Sequence, residues 1–119
     1  MTSAARDQPA YRLACRLSEL AEETAVGVEL DGVPICVART GGEVFAVSDI
    51  CSHADVNLSD GDVEDGTVEC WLHGSRFDLR SGRPTGLPAN RPVPTYPVLV
   101  DGDDVYVAVD DPVAVKENR

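Results

Sequence analysis

Short runs of alternating apolar and polar residues fill most of this chain, and tight-turn dipeptides separate the runs. The dipeptides that lie between two such runs are Asp31-Gly32, Gly41-Gly42, Asp65-Gly66 and Asp101-Gly102. This arrangement is typical of β-hairpins. It predicts strands at residues 11–16, 25–30, 33–38, 44–48, 67–71, 96–100 and 105–109. We therefore expect an all-β protein.

Apolar side chains at every second position indicate which strand faces are buried. The sets expected to share a buried face are Val26, Val28 and Leu30, then Tyr96, Val98 and Val100, and finally Val105, Val107 and Val109. Cys15 alternates with Leu13 and Leu17, and Cys36 lies in mid-strand, so both are expected to be inert buried thiols. The only helix predicted is short, at residues 17–23, with Ser18 as its cap.

Two segments, 49–60 and 72–90, do not alternate and are rich in Gly, Pro, Ser and Asp. We interpret both as loops, which often carry functional residues on a rigid scaffold. Residues 1–9 and 113–119 lack periodicity and are expected to be mobile tails. With 119 residues and 12.7 kDa, the remaining segment, 10–112, is sufficient for a single domain.

The charge balance restricts the possible partners. Ten Lys and Arg residues against twenty-one Asp and Glu residues give a formal net charge of −11, which repels nucleic acids and anionic membranes. Acidic side chains are frequent from Asp49 to Glu69, whereas the arginines gather from Arg76 to Arg91. The acidic run is interpreted either as a docking patch or as a solvated face. The sequence contains no long apolar stretch, so we expect a cytoplasmic location with no membrane contact.

The chain has two histidines, and each lies beside a cysteine in one of the two predicted loops. Cys51 and His53 form a C-x-H motif, and Cys70 and His73 form a C-x-x-H motif sixteen residues later. Thiolate and imidazole donors on two loops are suited to zinc or to an iron–sulfur cluster. Zinc motifs more often repeat C-x-x-C or H-x-x-x-H within one knuckle, which favours the cluster.

These motifs, with Gly74 and Ser75 after the second histidine, resemble the Rieske-type [2Fe–2S] pattern. The continuation is similar to that of the small Rieske ferredoxins of bacterial multicomponent aromatic-ring dioxygenases, through Arg76-Phe77-Asp78-Leu79, Ser81-Gly82 and Gly86-Leu87-Pro88-Ala89. The resemblance spans about residues 11–110. It implies an antiparallel β-sandwich or three-sheet domain with two cluster-binding loops. It also implies one [2Fe–2S] cluster, with Cys51 and Cys70 on one iron and His53 and His73 on the other.

High-potential Rieske proteins of respiratory chains resemble this pattern but differ in three positions. They carry a disulfide between the loops, where this chain has Val56 and Leu72, and a tyrosine where this chain has Phe77. Because each lost hydrogen-bond donor or bridge leaves the sulfur charge less stabilised, we expect a potential in the lower part of the Rieske range of roughly −150 to +300 mV. Trp71, beside Cys70, is expected to pack beneath its loop.

The resemblance implies a one-electron carrier, not an enzyme, between a flavoprotein reductase and the Rieske centre of a terminal non-heme iron oxygenase. Both histidines are committed to the cluster, so none remains for a mononuclear iron site, and no strand is followed by G-x-G-x-x-G. Encounters with both partners are expected to be transient and charge-steered, with the protein a monomer. Two alternatives stay open: an accessory protein of iron–sulfur cluster assembly, and the small subunit of a nitrite reductase complex.

Overall fold

Ten short strands form the framework of the described part of the protein. The structure, a computed structural model, describes residues 11–51, 56–72, 74–85 and 91–109. The strands are β1 (Tyr11–Arg16), β2 (Thr24–Leu30), β3 (Val33–Thr40), β4 (Glu43–Ser48), β5 (Val63–Glu64), β6 (Thr67–Glu69), β7 (Arg76–Asp78), β8 (Thr95–Tyr96), β9 (Val98–Asp101) and β10 (Asp104–Ala108). Single 3₁₀ turns lie at Leu17–Glu19 and Leu58–Asp60. In the part described, no helix is long and apolar enough to span a bilayer.

The strands pair into three antiparallel sheets, which confirms the all-β, three-sheet prediction. Sheet I has the order β1-β10-β9, sheet II has the order β2-β3-β4-β8, and sheet III is the small meander β5-β6-β7. Sheet III contains β6, and that strand leads directly to Cys70. Cys51 in turn follows β4 of sheet II, so sheets II and III together position the two cysteines.

Strand β3 is buried on both faces because it separates two apolar clusters. Ile35 and Val37 point into a cluster between sheets I and II, together with Val105 and Val107. The alternate residues of β3, beginning with Cys36, belong to a second cluster that joins sheet II to sheet III. The uninterrupted apolar run of β3 follows from this position, since a strand covered on both sides has no polar face.

The predicted strands are confirmed, although only the first has both of its predicted ends. The run at 67–71 ends as a strand at Glu69, and the run at 96–100 is two strands interrupted at Pro97. A proline has no backbone N–H to continue a ladder, and here the chain passes from sheet II to sheet I. The single face predicted for Tyr96, Val98 and Val100 is therefore wrong: the first two are packed against a core cluster, whereas Val100 is 43% exposed.

Two expectations for the first part of the chain are also corrected. The helix predicted at 17–23 is only the 3₁₀ turn Leu17–Glu19, and Ser18 does not cap it; the Ser18 hydroxyl donates instead to Asp103 across 2.9 Å. Cys15 was expected to be a buried thiol but is only partly buried against the core cluster, and Leu13 is 56% exposed. A register shift between these two residues in the pairing of β1 with β10 breaks their alternation.

The loops predicted at 49–60 and 72–90 contain more regular structure than expected. The first includes the turn Leu58–Asp60, and the second includes β7, which pairs with β6. The predicted tails at 1–9 and 113–119 lie outside the described residues.

Candidate metal centre

The two cysteines of the predicted site lie at matching places, each just beyond a strand that leads into a predicted loop. Cys51 follows β4 and the bridging residue Ile50, and Cys70 follows β6. Both side chains are buried, and they belong to the same apolar cluster. His53 and His73 lie outside the described residues, so their places in the site remain predictions of the sequence.

Backbone hydrogen bonds close the first ligand loop immediately above Cys51. The N–H of Cys51 donates to the carbonyl of Val56 across 3.0 Å, and Ile50 pairs with Asn57 in an antiparallel bridge. The N–H of Leu58 then donates to the carbonyl of Asp49 across 2.6 Å. The outgoing and returning chains therefore run side by side at the base of the first loop.

The second ligand loop is closed in the same way. The N–H of Cys70 donates to the carbonyl of Ser75 across 2.6 Å, and the N–H of Gly74 donates to the carbonyl of Cys70 across 2.8 Å. Gly74 has a φ of +79°, a left-handed conformation that favours glycine. Ser75 is buried beside this turn. The backbone conformation therefore favours a glycine at this position of the motif.

Apolar side chains surround the two cysteines and exclude water. The buried members that come from sheet III and the segments next to it are Leu58, Val63, Val68, Phe77, Leu79 and Val93. Phe77 is fully buried and pairs with Val68 across sheet III, and its ring carries no hydroxyl. Cys36 belongs to the same cluster, where burial raises the pKa of its thiol far above the ordinary value. Its predicted role as a buried thiol is consistent with this environment.

The buried carboxylate of Asp49 is part of the site, although the sequence indicated only that it begins an acidic run. Its side chain accepts hydrogen bonds from the N–H of Ser59 (2.7 Å), the hydroxyl of Ser59 (3.0 Å) and the amide of Asn57 (3.1 Å). Burial raises the pKa of the Asp49 carboxyl, while these hydrogen bonds act in the opposite direction. No sequence pattern pairs Asp49 with Ser59, since the contact depends on how the loop returns.

Two large apolar side chains are exposed beside the second loop. Trp71 is 51% exposed and Leu72 is 43% exposed. The expectation that Trp71 packs beneath the loop is therefore wrong. The core below Cys70 is already filled by Phe77 and its neighbours, so the indole lies at the surface. An exposed indole beside Cys70 provides apolar contact area for another protein.

The charges around sheet III are partly paired. Arg76 donates to the hydroxyl of Thr67 across 2.9 Å and forms ion pairs with Glu64 (3.5 Å) and Glu69 (3.7 Å). Arg80 pairs with Glu43 of β4 at 2.7 Å. The side chains of Asp60, Asp62, Glu64 and Asp65 are exposed and form an acidic rim. We use this name for these four residues below.

The chemistry of the described donors is suited to an iron–sulfur cluster. Two thiol groups that are buried in one apolar cluster, on two loops tied at their bases, provide soft ligands in a dry environment. None of the cysteines forms a disulfide in the part of the chain that is described. Within that part, which excludes both histidines, no group of three or more His, Cys, Asp or Glu residues forms a metal site.

Comparison with known proteins also indicates an iron–sulfur centre. A family model for the Rieske [2Fe–2S] domain matches residues 10–97. The chain is 45% identical over 93 residues to the ferredoxin component of biphenyl 2,3-dioxygenase from Rhodococcus jostii (strain RHA1), covering 78% of this chain and 87% of that protein.

Solved structures of similar proteins share the fold. The ferredoxin of carbazole 1,9a-dioxygenase from Nocardioides aromaticivorans IC177 is 38% identical with a TM-score of 0.79, over 83% of this chain and 97% of that chain. A chain from a complex of reduced oxygenase and oxidized ferredoxin in carbazole 1,9a-dioxygenase is 30% identical with a TM-score of 0.79, over 85% of this chain and 94% of that chain.

Proposed function

This chain belongs to the Rieske [2Fe–2S] domain family, and from that premise we propose that it receives single electrons from a flavoprotein reductase and passes them to the Rieske centre of a terminal oxygenase. Like the dioxygenase ferredoxin components that it resembles, it is an electron carrier and not an enzyme. The observation that carries the proposal is the burial of Cys51 and Cys70 together at the bases of two closed loops.

The proposed ligands are the two cysteines on one iron and His53 and His73 on the other. When bound, such a cluster accepts and releases one electron at a time. The described residues keep Cys51 and Cys70 in an apolar environment, and the short hydrogen bonds at each loop base fix the backbone on both sides of the ligands. Little reorganisation of the protein then accompanies electron transfer.

The surface next to the second loop supports a role in brief encounters with other proteins. Trp71 and Leu72 offer a small apolar contact, and the acidic rim lies in and beside sheet III, to which the second loop is connected. Charge steering accelerates such encounters and makes their rates fall as salt rises. We propose that the protein does this as a monomer, as a domain of residues 10–112. The cytoplasmic location remains a prediction of the sequence.

Stopped-flow mixing with a terminal oxygenase tests this function. The dithionite-reduced protein, freed of excess reductant, is mixed with the oxidised terminal oxygenase of the biphenyl 2,3-dioxygenase system, the partner of the 45% identical relative. We expect reoxidation of the carrier together with reduction of the oxygenase, at a rate proportional to oxygenase concentration. An unchanged carrier would contradict the proposal. Cluster-scaffold and sulfur-transfer genes beside the gene of this protein would then favour a role in iron–sulfur cluster assembly. Nitrite reductase genes beside it would favour the small subunit of a nitrite reductase complex.

A further inference from the structure

The carboxylate of Asp49 connects the two ends of the first ligand loop. Asp49 lies two residues before Cys51 and is only 2% exposed. Both of its oxygens accept hydrogen bonds from the returning chain, Oδ1 from the N–H of Ser59 and Oδ2 from the Ser59 hydroxyl and the Asn57 amide. Its own backbone carbonyl accepts from the N–H of Leu58. Four bonds thus join one residue of the outgoing chain to three residues of the returning chain.

Strand β2 supports this arrangement from the side. Gly27 lies so close that a methyl group at its Cβ position would be 2.6 Å from the Ser59 hydroxyl and 2.9 Å from Asp49 Oδ2. Real Cβ contacts are longer than this, so any side chain here would displace the Asp49–Ser59 pair. On its other side, the backbone N–H of Asp49 donates to the carbonyl of Pro34 in β3 across 3.0 Å. The loop base is therefore anchored to sheet II at two points.

We propose that Asp49 is a positioning residue for the metal centre. The Asp49 carboxylate clamps both ends of the first loop and so fixes the orientation of the two proposed ligands on that loop, Cys51 and His53. This inference depends on the ligand assignment in the proposed function. The clamp joins the described residues on both sides of residues 52–55, so a shift of Asp49 or Ser59 changes the distance between the two ends of the loop. Partners that orient ligands in this way have large effects on metal retention and electronic structure.

Four single variants separate a clamp from a simple effect of charge. Asp49→Asn removes the carboxylate, Ser59→Ala removes one donor without changing charge, and Gly27→Ala displaces the pair by steric contact alone. Asp60→Asn is the matched control, because Asp60 belongs to the same turn as Ser59 but its carboxylate is exposed. Each holoprotein is assayed for its EPR spectrum after dithionite reduction, for the rate of cluster loss to EDTA, and for its urea midpoint.

We expect the three clamp variants to change the EPR g-values and to lose iron about tenfold faster than the wild type, while Asp60→Asn matches the wild type in both. Ser59→Ala is the mildest change and keeps the test valid if the other variants fold poorly. Wild-type spectra and retention in all three clamp variants would overturn the inference, as would lower urea midpoints with unchanged spectra. Equal effects of Asp60→Asn and Asp49→Asn would also overturn it, because charge alone would then be the cause. A wild-type protein without a Rieske signal would overturn the proposed function and this inference together.

Discussion

Cys51 and Cys70 lie in one buried apolar cluster, although Cys51 follows β4 of sheet II and Cys70 follows β6, the central strand of sheet III. The packing of sheet III against β3 brings the two loop bases together, and the ladders on both sides hold them. The ligand assignment in the proposed function places these two thiols on one iron atom. The two loop bases together, and not either loop alone, therefore provide the pair of buried thiols.

Replacing either of these cysteines is expected to abolish the cluster. A serine hydroxyl does not supply the soft thiolate that iron in such clusters requires, so Cys51→Ser and Cys70→Ser are each expected to give colourless protein with less than about a tenth of the wild-type iron. Iron analysis and visible absorption provide the measurement. Cys36→Ala is the matched control, since Cys36 is buried in the same cluster. It is expected to keep its colour and to lose only about 1 kcal/mol of unfolding free energy. Loss of iron from that control would contradict the ligand assignment.

Glu23 connects sheet II to the β5–β6 turn, and its ionised carboxylate is expected to stabilise the fold at neutral pH and less so at acid pH. Hydrogen bonding from Thr40 lowers the pKa of the Glu23 carboxyl below its ordinary 4.5, with further help from the backbone N–H groups of Asp65 and Gly41 and with burial opposing the shift. A lowered folded-state pKa stabilises the fold above the unfolded value, and this stabilisation is lost as the pH falls through the folded value. Glu23→Gln is therefore expected to have a lower urea midpoint than the wild type at pH 7.

The difference between Glu23→Gln and the wild type is expected to shrink as the pH falls below 4.5. Urea titrations followed by circular dichroism at several pH values provide the measurement. Glu29→Gln, on the exposed face of β2, serves as the control and is expected to follow the wild type throughout. A gap for Glu23→Gln that stayed constant with pH would argue against the ionised carboxylate as the cause.

The strands that are predictable from the sequence are those with a clear periodicity of apolar side chains. Strands of five or more residues were recognisable because alternation persists long enough to define a face, as in β10 with Val105 and Val107. Strands β5 and β7 have two and three residues, too few for a period, and were not predicted. Strand β6 is equally short but was predicted, because its alternation continues beyond the strand from Val68 to Cys70. The switch of sheets at Pro97 and the bulge near Cys15 also break alternation, and both led to wrong burial predictions.

The ligand motifs were recognisable because each places its donors within a few residues, with Gly74 at the turn. The surroundings of the ligands were not predictable. Asp49, Ser59 and Gly27 meet only because the loop returns against β2, and the exposure of Trp71 depends on the core being filled by side chains such as Phe77. Contacts of this kind depend on tertiary packing, which local pattern does not describe.

The acidic rim is expected to steer the protein toward its reductase. The triple variant Asp60→Asn, Asp62→Asn and Glu64→Gln removes three carboxylates in and beside sheet III, so reduction by the reductase should slow about tenfold at low ionic strength and little at high salt. A control variant with the same charge change carries Glu29→Gln, Asp101→Asn and Asp104→Asn in the other two sheets. Stopped-flow reduction rates at several salt concentrations, with the absorption spectrum as a check on the cluster, provide the measurement. Equal rates for the two triple variants would mean that the rim contributes solubility alone.

The reduction potential is expected to lie in the lower part of the Rieske range of roughly −150 to +300 mV. Val56 and Leu72 leave no disulfide between the loops, and the buried ring of Phe77 has no hydroxyl to donate to a sulfur. Phe77→Tyr would supply that donor and should raise the potential, whereas Phe77→Leu changes the packing without adding a donor. Protein-film voltammetry measures all three proteins. A wild-type midpoint near the upper end of the range, or no rise in Phe77→Tyr, would contradict this explanation.

The most direct test of the central claim is the EPR spectrum of the purified, dithionite-reduced protein, recorded with iron and sulfide analysis on the same sample. A site with Cys51 and Cys70 on one iron and His53 and His73 on the other predicts about two irons and two sulfides per chain and the low average g-value of a mixed-ligand [2Fe–2S] cluster. A spectrum typical of four cysteine ligands, or a colourless protein that contains zinc, would contradict the claim.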